Sequence, residues 1–125
     1  PRTAPAGEAA VSFRVGPAAR ADVADIAEYI DAMTPGRGEE FVAAVEQAYA
    51  AIEARPRIQA PADDGPPGVE TRQHLIHGFR YRVVFVVLGD DVTVLSVAHV
   101  HRKPGHWNDT PTTETLTRDA DMLPE

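Results

Sequence analysis

The stretch VAHVHRKPGHW, Val97 to Trp107, carries three of the five histidines, the only lysine and the only tryptophan of the chain. His99 and His101 lie two apart, so on a strand they share a face, and the Pro104-Gly105 turn can bring His106 back towards them. Zinc accepts imidazoles, and a three-histidine site is conceivable. No carboxylate completes the set, however, and Arg102 with Lys103 repels a cation, so neither a metal nor a cofactor is expected. Upstream, FRYRVVFVVL places Phe79, Tyr81, Val83 and Phe85 on one face of a strand and Arg80, Arg82, Val84 and Val86 on the other. If the aromatic face packs on the body of the protein, the arginines stand on the open face. His99 and His101 join them if the last strand aligns that way. Converging guanidinium groups and a histidine could hold a phosphodiester and assist proton transfer; the set to consider is Arg72, Arg80, Arg82, His99, Arg102 and Lys103. The same arginines could instead cap the sheet surface or pair with acids.

Other chemistries find no support. The chain has no cysteine, so disulfides and thiolate chemistry are excluded. Its only serines, Ser12 and Ser96, lie outside any Gly-x-Ser-x-Gly turn. GPPG, Gly65 to Gly68, lacks the lysine and the following helix of a phosphate loop.

The elements that must position these residues follow from periodicity. VSFRV, Val11 to Val15, alternates like a short strand, and Gly16-Pro17 ends it. From Ala18 to Met33, Ala19, Val23, Ile26, Ile30 and Met33 recur every three or four residues, which predicts an amphipathic helix. TPGRG, Thr34 to Gly38, breaks it, with Thr34 as a candidate cap and Pro35 at the start of the next helix. A second stripe, Phe41, Val45, Ala48, Tyr49 and Ile52, predicts a helix that turns back on the first and ends at Arg55-Pro56. Residues 56–68 are rich in proline and glycine and read as an irregular connection. Three strand-like runs follow, Val69 to Ile76, Phe79 to Leu88 and Val92 to His101, separated by hairpin-length links. The expected fold is α+β: an N-terminal strand, an antiparallel two-helix hairpin, then a three-stranded antiparallel meander, β-α-α-β-β-β, with the helices on one face of the sheet.

At 125 residues the chain suits one domain with one core, spanning residues 11–107. Residues 1–10 read as a flexible leader, and residues 108–125 as an acidic, largely flexible tail. No apolar run approaches the length of a membrane span, and a cytoplasmic location is expected. The net charge of −7 argues against generic nucleic-acid binding, but the charge is unevenly placed. Val11 to Glu70 holds five arginines against eleven acids, whereas Thr71 to Trp107 holds four arginines and a lysine against two acids.

In order along the chain, ARADVADIAEYI (Ala19 to Ile30), TPGRGEEF, IEARP, RYRVVFVV and VAHVHRKPGHW resemble the ParE/RelE toxin superfamily of bacterial type II toxin–antitoxin systems. The resemblance covers about Val11 to Trp107. It implies a small α+β toxin, neutralised in a hetero-oligomer by a cognate antitoxin whose extended segment and helix wrap around it. ParE-like members poison DNA gyrase and have no recognised catalytic set. RelE-like members cut messenger RNA in the ribosomal A site, using basic residues on the open sheet face. Arg72, Arg82, His99 and Arg102 occupy positions comparable to that basic face, and are the catalytic candidates if the chain is a ribonuclease. Arg80, Lys103 and Trp107 are the candidates for target contact, Trp107 as a base-stacking group. Ribosome-dependent members are usually strongly basic and lysine-rich, and RNA binding draws on positive charge. A chain at −7 with Lys103 alone therefore sits closer to the ParE-like, gyrase-poisoning side. A RelE-like endoribonuclease acting on ribosome-bound messenger RNA, or an inactive complex-forming member, are the alternatives.

Overall fold

The computed structural model describes residues 11–101. Its elements run β1 (Ser12–Val15), α1 (Pro17–Met33), α2 (Arg37–Ala54), a 3-10 turn (Pro56–Ile58), β2 (Ala60–Pro61), β3 (Glu70–Leu75), β4 (Tyr81–Leu88) and β5 (Asp91–His99). The expected helical hairpin and antiparallel meander are both present. One strand was not foreseen: β2 pairs antiparallel with Arg72 and Gln73 of β3, making a five-stranded sheet of order β1-β5-β4-β3-β2. Pro61 can join because it lies at the sheet's outer edge, where a missing N–H leaves no partner unserved. At the opposite edge β1 runs parallel to β5, Ser12 facing Asp91 and Val15 facing Val94. A parallel neighbour needs a long crossover, and the helical hairpin supplies part of it.

Both helices bury one stripe against the sheet. Ala19 and Ile26 of α1 are buried, with Val23 and Ile30 packed beside them, while α2 contributes Phe41, Val45, Ala48 and Ile52. Met33 does not continue the stripe: it is 67% exposed, at the very end of α1. The link between the helices also differs from expectation. Thr34 closes α1, its N–H donating to the Ile30 carbonyl at 2.9 Å, and Gly36 in left-handed geometry (φ 90°) starts α2. The cap comes from the other helix: the Asp31 carboxylate accepts the N–H groups of Gly36 at 2.8 Å and Gly38 at 3.1 Å. A carboxylate suits a helix N-terminus, where unpaired N–H groups and the helix dipole both attract negative charge. Gly38 allows the close approach, since a Cβ there would stand 2.6 Å from the Ala27 carbonyl oxygen.

The sheet's helix-facing side consists of Tyr81, Val83, Phe85 and Val87 from β4 and Val92, Val94 and Val97 from β5. Val94 and Val97 are three apart and would fall on opposite faces of a regular strand. A β-bulge reconciles them: Phe85 faces Val94 and Val84 faces Ser96, leaving Leu95 as the extra residue. Past the bulge β1 has ended, so the outward backbone of β5 needs another partner. Asp22 of α1 supplies it, one carboxylate oxygen accepting the Val97 N–H at 2.9 Å and the Ser96 hydroxyl at 3.1 Å. Beside Asp22, the Tyr49 hydroxyl is buried and has no hydrogen-bond partner among the described residues. Burial first, and the Asp22 charge second, push its pKa up to about 12, against an opposing pull from Arg20, so the ring stays neutral where it packs against Phe13.

Asp22 therefore has two donors to satisfy, one on a fully buried serine. Asp22→Ala should lower unfolding stability by roughly 1–3 kcal/mol, the usual cost of orphaning buried donors. Asp22→Asn, which keeps an acceptor oxygen, should lose less. Urea midpoints of the two variants check this; equal midpoints for Asp22→Ala and the parent would contradict it.

Candidate functional site

The bulge decides where the chemistry-bearing residues point. In β5 it brings His99 opposite Tyr81 and Ala98 opposite Arg82. Cross-strand partners share a face, so His99 lies on the helix-facing side with Tyr81, its ring 5.4 Å away in edge-on geometry. It does not join Arg82. In β3, Arg72 faces Phe85 and so also lies on the helix-facing side. The expected convergence of Arg72, Arg82 and His99 on one open face is therefore not formed. Arg102, Lys103 and Trp107 lie outside the described residues, as do His106, the leader and the tail.

Nor is the second face open at Arg82. Arg82 is only 7% exposed, and Val84, Val86 and Ala98 on the same side are buried. Its guanidinium donates to the Asp64 carboxylate at 2.6 Å and to the Gln73 side-chain oxygen at 2.9 Å. Asp64 belongs to the proline- and glycine-rich segment read as an irregular surface connection, which here folds back over the sheet. Arg72 is also engaged: it donates to Glu70 at 2.7 Å and to the Gln59 carbonyl at 2.6 Å. Arg57 binds the Gly89 carbonyl and stands 3.8 Å from Glu70, so the β2–β3 edge is a web of paired charges. His74 belongs to it, its Nδ1 lying 2.7 Å from the Gln59 side-chain oxygen. A sequence offers little to predict the Asp64–Arg82 pair, because its two halves belong to a loop and a strand with no shared periodicity.

What the fold does assemble is a cationic, aromatic end of the sheet. At the β3–β4 turn, Arg37 of α2 stacks over Phe79 at 4.3 Å, donates to the Gly78 carbonyl at 3.2 Å and pairs with Glu40 at 2.7 Å. Phe79 meets Phe41, Phe41 meets Tyr81, and Tyr81 meets His99, each edge-on with centroids 5.1 to 5.5 Å apart. His101 follows His99 at 5.4 Å, and the exposed Arg80 guanidinium lies 3.4 Å from the His101 Nε2. Among the described residues Arg80 pairs with no carboxylate, so this corner carries uncompensated positive charge where the chain leads on to Arg102 and Lys103. Arg37 was overlooked in the sequence because it stands within a turn-like link. Among the described residues no group of three or more His, Asp or Glu could hold a metal ion, and no helix is long and apolar enough to cross a membrane.

The described chain is thus a two-helix hairpin packed on a mainly antiparallel sheet with a basic end. The chromosomal ParDE toxin–antitoxin system from P. aeruginosa contains a chain with this fold: TM-score 0.60 and 18% identity, covering 70% of this chain and 94% of that one. A chain of the RelBE2 toxin–antitoxin complex from Mycobacterium tuberculosis aligns with a TM-score of 0.47 and 21% identity, over 77% of this chain and 95% of that one. No curated protein matches the sequence. Residues 13–104 match the family model described as the ParE toxin of the type II toxin–antitoxin system parDE. The chain belongs to the ParE toxin family and is the toxin of a type II toxin–antitoxin system.

The β2–β3 edge generates a pH prediction. Burial lowers the pKa of His74 below the ordinary histidine value. A histidine that resists protonation when folded is protonated first in the unfolded chain, so its contribution to stability falls as pH drops through about 6.5. His74→Gln should therefore lose less stability than the parent between pH 8 and pH 5. Parallel stability curves over that range would contradict the assignment.

Proposed function

We propose that this toxin arrests growth by protein–protein contact with DNA gyrase in the cytoplasm, and that a cognate antitoxin silences it by covering its surface. The observation that carries the reading is the dispersal of the nuclease candidates. Arg72 and His99 stand on one face of the sheet and Arg82 on the other, and both arginines are held by carboxylates of the same chain. Phosphodiester cleavage needs its cations and its proton-transfer group around one scissile bond. Protein contact asks only for a rigid, complementary surface, and the basic corner of Arg37, Arg80 and His101 offers one backed by a packed aromatic row. Leu75 at 63% exposure and Leu88 at 60% are apolar surface for the antitoxin to bury.

Purified toxin should inhibit gyrase supercoiling and leave cleaved DNA complexes, and the antitoxin should reverse both. Arg80 is exposed and makes no core contact, so Arg80→Glu should fold normally yet inhibit at least about tenfold less well, the scale of one lost interface anchor. The measurement is a supercoiling titration, with mapping of message ends after induction in cells. Untouched gyrase together with A-site message cleavage would replace this reading with the ribonuclease one. Normal growth without the antitoxin would leave a complex-forming regulator.

A further inference from the structure

The strap of residues 62–68 is tied to the sheet at few points. The Ala62 N–H donates to the Thr71 carbonyl at 2.9 Å, and Asp64 reaches down to Arg82. Gly65 lies so close to Thr71 that a Cβ there would stand 2.2 Å from the threonine hydroxyl oxygen. Below the strap, Arg82 and Gln73 stand together on the sheet: the guanidinium donates to the Asp64 carboxylate and to the Gln73 side-chain oxygen, while the Gln73 amide nitrogen donates to the Pro61 carbonyl at 2.9 Å. A guanidinium held by a neighbouring amide and sealed from water is a preformed receptor for one planar or tetrahedral oxyanion. A charge that deeply buried needs a counter-charge, and Asp64 provides it from within the chain.

We propose that Arg82 and Gln73 form an oxyanion site of which Asp64 is the built-in occupant, and that the 62–68 strap is an autoinhibitory cover. A carboxylate or phosphate group from outside reaches Arg82 only by displacing Asp64, and displacing Asp64 lifts the strap. The inference rests on this local geometry and stands apart from the choice of cellular target. It also gives a physical reason why the one buried arginine of β4 cannot serve a nucleic-acid phosphate while the strap is closed.

Replacing the occupant should open the site to a surrogate. The full-length Asp64→Ala variant should melt below the parent in chloride buffer, and inorganic phosphate or acetate at matched ionic strength should restore it by at least about 4 °C near saturation. The parent should not respond, because its site is full. Asp64→Ala/Arg82→Gln should not respond either, because its receptor is gone. Absence of rescue, or equal rescue of the double variant, would overturn the proposal. Should Asp64→Ala fail to fold, Asp64→Asn keeps the shape and removes the charge. Hydrogen exchange at the Ala62 amide should then quicken at least about tenfold if Asp64 latches the strap. An unchanged rate would overturn the latch.

Discussion

The arrangement of this toxin turns on a one-residue offset in its last strand. Leu95 is extra, and everything beyond it on β5 is rotated to the opposite face from the one a regular ladder would give. Because of that offset Val97 completes the core begun by Val92 and Val94, and His99 packs on Tyr81. The offset needs an anchor, since a bulge leaves the ladder locally unpaired. Asp22 provides it from the first helix, which ties the helical layer to the irregular part of the sheet through one carboxylate.

A second consequence concerns charge. The helices carry exposed acids on their outer surfaces, while the arginines of the sheet are sorted by depth. Arg82 is buried and neutralised by Asp64, Arg72 is half-buried and neutralised by Glu70, and Arg80 just before β4 is exposed beside His101, as is Arg14 on β1. The positive corner at Arg80 and His101 is supported from behind by edge-on rings. Net charge alone says little about such a protein, because Arg37, Arg57, Arg72 and Arg82 are each paired with a carboxylate of the same chain.

Much of this was readable in the amino-acid order. The stripes through Val23, Ile26, Phe41, Val45 and Ile52 announce two helices because helical burial repeats every three or four residues. β4 announces itself as a central strand through apolar residues on both faces, and the aromatic and arginine faces divide as alternation demands. The bulge left a mark that alternation can show: Val94 and Leu95 are adjacent apolar residues, and the inward phase resumes at Val97 rather than Ser96. Ignoring it misplaces His99. The Asp64–Arg82 pair left no such mark, because a long-range ion pair depends on how a proline-rich segment folds over a sheet. Asp31 as the cap of α2 was hidden for a similar reason: the capping side chain belongs to the preceding helix, five residues before the first N–H it binds.

The parallel pairing of β1 with β5 joins the first described strand to the last. Its contacts span nearly the whole described chain, and the entropy of closing a loop rises with its length, so this pairing is the costliest of the sheet to bring together. On the ribosome β1 has no parallel partner until β5 has been made, so it waits for the last of the described strands. The five-stranded sheet, and with it any surface that spans its described strands, comes into being only once β5 has emerged.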